Sequence, residues 1–314
     1  MDQSSLTVPF WNILACPACG GDIGRYPGGA ICLSCGEKFP YHGDAPLDLR
    51  LHTGKICSKT FVVGEDTAPP KDIISERLVP NATPQIQDWA DVEIPTGLCY
   101  RNRLTPELLS YLPKAHVPGR WMLDLGCGAS KSKAFFEGLT QLSYLGVDHA
   151  GTSADLLVNA HALPFKGESF ELVVSIATLE HFAIPDIVVS EVVRVLKPGG
   201  MLIGTSAFLE PFHGNSFAHM THLGLYRTLR DAGLEILTMA PNRGWFGLRA
   251  LTEMTLFPFV VIPDLLKWLP AVPLQIAHRA AWAIKRALKG SEKASEIERL
   301  LETTAGFRFA ARRP

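Results

Sequence analysis

The sequence predicts an α/β fold: a doubly wound, mostly parallel sheet, with a small cysteine-rich domain ahead of it and a helical region behind. Three observations lead there. Between residues 121 and 239, short apolar runs of strand length alternate with segments whose apolar residues recur at helical spacing. The first of these runs ends in a glycine turn, Gly126-Cys127-Gly128, ahead of a helical segment. Upstream, four of the seven cysteines fall into two Cys-x-x-Cys pairs.

The composition narrows the class. A chain of 314 residues, 47% hydrophobic and 19% charged, has enough apolar material for one well-packed domain plus extras. The net charge of −1 gives no overall attraction to nucleic acid. It hides an asymmetry, since residues 265–314 carry ten Lys/Arg against four Glu, or +6, leaving −7 for the rest. Residues 1–10 contain no Lys or Arg and do not read as a signal peptide. The apolar stretches 254–263 and 268–277 are each ten residues long and contain prolines, too short to span a bilayer. The cysteine usage then fits reduced thiols and a cytoplasmic protein.

Taken in order, residues 1–50 read as a zinc ribbon. Cys16 and Cys19 form one knuckle and Cys32 and Cys35 the other, each followed by a glycine that lets the backbone turn back. Twelve residues between the knuckles suffice for a short hairpin through Gly28-Gly29. Four thiolates make a closed tetrahedral Zn²⁺ site, structural rather than catalytic. So small a unit buries little core, and the metal would supply its folding energy. Cys57, Cys99 and Cys127 have no partner at ligand spacing. Residues 51–98 form a Pro-rich linker with one short helix at 73–78.

The region 99–245 carries the sheet. Residues 103–112 are helical, with Pro106 in the first turn. Residues 121–125 form the opening strand, and Ser130 is placed to cap a helix at 131–139. Strands follow at 142–147, 156–158, 170–176, 201–205 and 235–239. Helices occupy 184–196, stopped by Lys197-Pro198-Gly199-Gly200, and 221–232, stopped by Gly233. Only residues 148–155 join the second and third strands, too few for the usual crossover helix. One face of the sheet then needs cover from the ribbon, the linker or the C-terminal region.

Five motifs in order, Leu123-Asp124-Leu125-Gly126-Cys127-Gly128, Gly146-Val147-Asp148, Ala162-Leu163-Pro164-Phe165, Ser169 to Val174, and Arg194 to Gly200, resemble class I S-adenosylmethionine-dependent methyltransferases. The nearest likeness is to the ubiquinone/menaquinone-type branch, over about residues 100–240, and the fold it implies is Rossmann-like. The dinucleotide fingerprint G-x-G-x-x-G fails, because Lys131 stands at its last position. The ribbon with its tail resembles the zinc-ribbon proteins that accompany methyltransferases. Pro211-Phe212-His213-Gly214 with the helix opening at Thr221 resembles a subgroup associated with glycan or lipid biosynthesis.

The resemblance implies S-adenosyl-L-methionine as cofactor and a set of binding residues. Asp124 would face the ligand's ammonium, while Gly126, Cys127 and Gly128 bring the backbone close. Asp148 would accept both ribose hydroxyls. Asn159, where the family more often has Asp, would accept the adenine amino group, with Ala160 offering its amide beside the ring. Ser175 would line the methionine side. Methyl transfer asks mainly for alignment, with a base only where the acceptor must lose a proton. His181 is the candidate catalytic base. His213, His219 and His222 are candidates for substrate binding. Their 6- and 3-residue spacings argue only weakly for a metal.

Residues 246–314 read as a helical, basic extension. Leu274, Ala277, Ala281, Ile284 and Leu288 make an apolar stripe, with Arg279, Arg286, Lys289 and Lys293 on another face. The ordinary role of such a helix is core packing with a solvated basic side; the alternative is peripheral contact with an anionic membrane. Residues 257–263 could wall a hydrophobic acceptor site. The family's antiparallel strand has no evident place in the sequence. The leading reading is a methyltransferase for a small-molecule, glycan or lipid-linked acceptor. A zinc-ribbon RNA methyltransferase stands second, and a non-catalytic partner that keeps the fold stands third.

Overall fold

The computed structural model describes residues 10–42, 45–51, 104–113, 119–129, 132–151, 153–213, 216–242, 244–256, 264–267, 269–289 and 296–314. The linker, Ser130, Lys131, Gly214, Lys293 and residues 257–263 therefore lie outside the described residues.

The N-terminal unit is a three-stranded antiparallel sheet of β1 (Ile23–Tyr26), β2 (Gly29–Cys32) and β3 (Lys38–Pro40). The hairpin turns at Gly29, whose φ of +149° and contact with the Phe39 carbonyl leave no room for a Cβ.

The main sheet has eight strands: β4 (Leu47–Asp48), β5 (Trp121–Leu125), β6 (Ser143–Asp148), β7 (Leu156–Leu157), β8 (Phe170–Ile176), β9 (Leu196–Ala207), β10 (Glu235–Pro241) and β11 (Gly306–Arg312). Their order is β10-β11-β9-β8-β5-β6-β7-β4. Only β11 runs antiparallel to its neighbours. This is the doubly wound, mostly parallel sheet expected from the alternating pattern.

Each face has its own core. Met122, Tyr144, Leu172, Val174 and Ile203 point to one side, against Leu108 and Leu109 of α1 (Pro106–Leu109) and Phe135 and Phe136 of α2 (Lys133–Thr140). Leu123, Leu145, Val147, Val173 and Leu202 point to the other, against α3 (Pro185–Val195) and α4 (His222–Asp231). Two helix starts use side-chain caps: the hydroxyls of Thr105 and Thr221 accept from the amides of Leu108 and Gly224. At α2 the N-cap position is held by Ser132, without a side-chain cap bond, rather than by Ser130.

No helix stands between β6 and β7 among the described residues. The ribbon packs on the opposite face, in the core of α3 and α4, whereas a right-handed β6–β7 crossover helix would lie on the α2 side. Phe10, Leu14, Phe39, Leu47 and Leu49 are buried in the same core as Trp121, Val147, Leu156 and Phe165. The Ala15 amide donates to the Pro164 carbonyl and the Lys166 amide to the Ile13 carbonyl, at 2.9 and 2.8 Å. β4 pairs with β7 and extends the sheet edge. Arg50, in an ion pair with Asp48, donates to the His149 carbonyl at 2.8 Å. Residues 10–42 and 45–51 are thus joined to the sheet, and Leu47–Asp48 belongs to it.

The C-terminal region departs from the expected helical extension at its end. It contains α5 (Gly247–Leu251), a π-helical turn Thr252–Leu256, α6 (Asp264–Lys267), α7 (Val272–Lys289) and α8 (Glu296–Thr303). The chain then returns as β11, between β10 and β9, so the sheet does not end at residue 245. Phe307, Phe309 and Ala311 alternate into one core, and Ala310 enters the other. Arg308, also buried, is held by Glu107 of α1 at 2.7 and 2.9 Å and by the Pro241 carbonyl. This is the antiparallel strand that the sequence pattern left unplaced.

Core packing of the long C-terminal helix is likewise corrected. Along α7, Leu274, Ile284 and Leu288 are 60%, 61% and 82% exposed. The helix is sustained by its alanines, strong helix formers, rather than by burial of its stripe. Among the described residues, no helix is long and apolar enough to cross a membrane.

Candidate active site

Parallel strands collect their carboxyl ends along one edge, where ligands bind in sheets of this kind. β5, β6, β7 and β8 deliver Asp124, the Gly126–Cys127–Gly128 turn, Asp148, Asn159–Ala160 and Ser175 to that edge. The turn is closed by the Gly126 and Cys127 amides, which donate to the Val147 carbonyl at 2.9 and 3.1 Å. Gly126 has φ +78°, and a Cβ there would lie 2.2 Å from Cγ2 of Thr178. No other residue fits that contact and that conformation.

The Gly128 amide donates to Asp148 Oδ2 at 2.9 Å, which draws the turn against the end of β6. Asp148 Oδ1 accepts from the amides of His149 and Ala150 at 2.7 and 3.3 Å. With about four acceptor positions on a carboxylate, roughly one remains. Acceptance of two ribose hydroxyls would therefore require a loop amide to move away.

Asp124 is buried, and its Oδ2 accepts from the Tyr144 hydroxyl at 2.6 Å. Burial pushes its pKa up to about 6, helped by the charge of Asp148 and opposed by the Tyr144 bond. Between an unfolded value of about 3.9 and the folded 6, the native state holds the extra proton, so stability falls as pH rises through that window. Above pH 6 the cost is complete, about 3 kcal/mol. Asp124→Asn is expected to melt above wild type at pH 8 in the ligand-free protein, and to lose that lead by pH 4. Equal melting temperatures at pH 8 would contradict a buried, ionised Asp124.

Asn159 caps a short 3₁₀ turn, Ala160–Ala162, and its Oδ1 accepts from the amide and Nδ1 of His161 at 3.0 and 2.9 Å. His161 Nε2 accepts from the Ile184 amide at 3.2 Å, which leaves the ring proton on Nδ1. The oxygen expected to meet adenine is thus already engaged. Ala160 is buried beside it. Ser175 is fully buried, with no hydrogen-bond partner for its hydroxyl among the described residues. Two residues on, Ala177 takes φ +51°, a strained conformation for a residue with a side chain and one that clusters at functional sites.

Beyond β8 and β9 lies a second group. His181 follows Glu180 in the 3₁₀ turn Leu179–His181, and its ring centroid is 5.3 Å from that of His213. His213 is in turn 5.5 Å from His219. His219 is fixed by the Phe208 carbonyl at 3.2 Å and the Ser216 hydroxyl at 3.0 Å. His222 does not join them; it opens α4 with its ring 5.8 Å from Phe307. The structure adds Glu180, Glu210 and Trp245, whose Nε1 donates to Glu210 Oε1 at 2.6 Å. Glu180 stands inside the Leu-Glu-His-Phe motif, but nothing local reveals that a distant loop closes over it.

The four ribbon sulfurs, from Cys16, Cys19, Cys32 and Cys35, lie within 4.8 Å of one another. Amides of Ser34 and Cys35 donate to Cys32 Sγ, each at 3.4 Å. Convergent thiols supported by amides are the donor set of a structural zinc site.

The family described as "Methyltransferase domain" matches residues 123–204, from the middle of β5 to the middle of β9. Residues 123–204, about a quarter of the chain, are thus similar to that family. A human protein named probable tRNA methyltransferase 9B is 30% identical over 115 residues, 33% of this chain and 24% of that protein. Ubiquinone biosynthesis O-methyltransferase of Agrobacterium fabrum is 30% identical over 125 residues, 34% of this chain and 48% of that one. The match thus spans less than half the length of either relative. Among solved structures, geranyl diphosphate C-methyltransferase from Streptomyces coelicolor aligns over 66% of this chain and 77% of that one, with 16% identity and a TM-score of 0.44. Of the main sheet's strands, β4, β10 and β11 lie outside the matched residues.

Proposed function

We propose that this protein transfers a methyl group from S-adenosylmethionine to a small-molecule, glycan or lipid-linked acceptor, and that its ribbon holds one structural Zn²⁺. S-adenosylmethionine supplies an activated methyl on a sulfonium. Asp124, Gly126 to Gly128 and Asp148 would hold the donor, with Ala160 and Ser175 along its length. Asn159 would act through His161, shaping the wall beside the adenine. His181, His213 and His219 lie on the acceptor side, where His181 is the base if the acceptor must lose a proton.

The observation that carries the acceptor class is the surface around His213. Its neighbours Phe212 and Phe217 are 75% and 67% exposed, an apolar rim suited to a lipid or a hydrophobic small molecule. The exposed stripe of α7, opposite Arg279, Lys285 and Arg286, would bring the protein to an anionic membrane surface. Anionic vesicles should retain the protein at low salt and neutral vesicles should not; equal retention by both would refute that contact.

Calorimetry tests the donor. Wild type should bind S-adenosylmethionine, and Asp148→Ala should bind about 30-fold more weakly, through the lost ribose bond and the freed Gly128 turn. Methyl-labelled donor added to fractionated cell extract tests the acceptor. Label should enter the lipid or small-molecule pool. Label in RNA would replace this proposal with the RNA one, which the likeness to the tRNA-methyltransferase-named relative favours.

A further inference from the structure

Among the described residues, buried polar atoms without hydrogen-bond partners cluster at the turn after β8. Glu180 is fully buried, and neither carboxylate oxygen has a hydrogen bond among the described residues. The Nδ1 of His181 is also buried and unpartnered. His213 donates from Nδ1 to the Pro211 carbonyl at 2.9 Å, since a carbonyl can only accept. In the neutral ring, Nε2 is then a lone pair. It faces Glu180 Oε1 at 4.0 Å and Glu210 Oε2 at 3.8 Å. Lone pairs turned toward one another from these distances repel unless a positive charge stands between them. A buried, unpaired carboxylate costs several kcal/mol.

We propose that Glu180, His181 and His213 form a binding site for a divalent metal ion, with Glu210 as a second negative charge beside it. One ligand atom from each of the three lies within 4.8 Å of the others. Two imidazoles and a carboxylate suit Mn²⁺, Fe²⁺ or Zn²⁺ rather than Ca²⁺. The framework is rigid on both sides. The Glu180 carbonyl accepts from the Phe217 and Ala218 amides at 2.6 and 3.2 Å, which ties the His213 loop to the turn after β8. His219, engaged at both ring nitrogens, holds the loop and is not a ligand. Trp245 fixes Glu210.

Three protein ligands leave coordination positions open, as in sites where a metal meets substrate or water. An oxygen of the acceptor is the ligand class that would complete it; with the metal bound, His181 is a ligand and not the base, and the metal would lower the pKa of the acceptor hydroxyl in its place. That role rests on the methyltransferase proposal; the metal site does not.

The test is a titration of the zinc-loaded, full-length protein with Mn²⁺, read by electron paramagnetic resonance. Thiolates favour zinc, so the ribbon does not compete for Mn²⁺. Wild type should bind one Mn²⁺ per chain and melt at a higher temperature with it. Glu180→Gln and His213→Ala should each bind about 30-fold more weakly and lose the thermal gain. His213 lies in a partly exposed loop, so its substitution keeps the test open if Glu180→Gln does not fold. Wild-type protein that binds no Mn²⁺, or variants that bind it equally well, would overturn the site. Calorimetry with S-adenosylmethionine, run without Mn²⁺, separates this result from failure of the donor site.

Discussion

Replacing Glu107 with alanine is expected to lower the unfolding free energy by about 3–5 kcal/mol, the usual cost of stranding one partner of a buried ion pair. Arg308 is almost fully buried in β11, and Glu107 accepts both its Nε and Nη2 protons while taking a further bond from the Thr238 hydroxyl. One carboxylate thus ties α1 to β10 and β11. Without it, the Pro241 carbonyl is the guanidinium's remaining partner among the described residues. The double variant Glu107→Leu/Arg308→Met should recover most of the loss, because well-packed apolar replacements remove the desolvation cost as well as the attraction. Denaturant unfolding of the two single variants and the double variant gives the coupling. A Glu107→Ala change of under about 1 kcal/mol would mean that the pair is solvated in the protein.

Removing the zinc proposed for the ribbon should have an effect of similar or greater size. A chelator, or Cys16→Ser with Cys32→Ser, is expected to unfold the ribbon and lower the melting temperature of the whole chain by about 10 °C or more. The reason is the shared core: Leu14, Phe39 and Leu49 are buried against the sheet, not within a separate module. Donor binding should weaken as well, since Arg50 holds the His149 carbonyl next to Asp148. Elemental analysis should find one zinc per chain. Metal-free protein with unchanged melting would remove zinc from the account.

How much of this was legible in the sequence follows from the range of the interactions. β5 and β8 are continuous apolar runs because both their faces are covered, and such runs are visible locally. The stop after α3 is equally local, whereas the cap read at Ser130 gives way to Ser132 at the N-cap position. β4 was hidden because two paired residues carry no periodicity. β11 was hidden by Arg308, a charge at an inward position whose partner lies 201 residues away. At the site, the turn residues could be named from the motif. That Asp124 is held by Tyr144 depends on the register of β5 against β6. The engagement of Asn159 by His161, and the meeting of Glu180 with His213, depend on loops that only the folded sheet brings together. The histidine spacings argued weakly for a metal because one ligand and the carboxylate come from the other loop.

The position of β11 also imposes an order of events as the chain is made. β9 and β10 are synthesised well before it, yet neither can pair with the other in the native sheet, because β11 lies between them. Until it emerges, both strands present unsatisfied edges, open to mispairing with each other or with another chain. The intervening helices α5 to α8 delay that closure. A nascent chain released before β11, or a variant that slows its docking, would expose the same two edges and invite aggregation without altering any residue at the donor site.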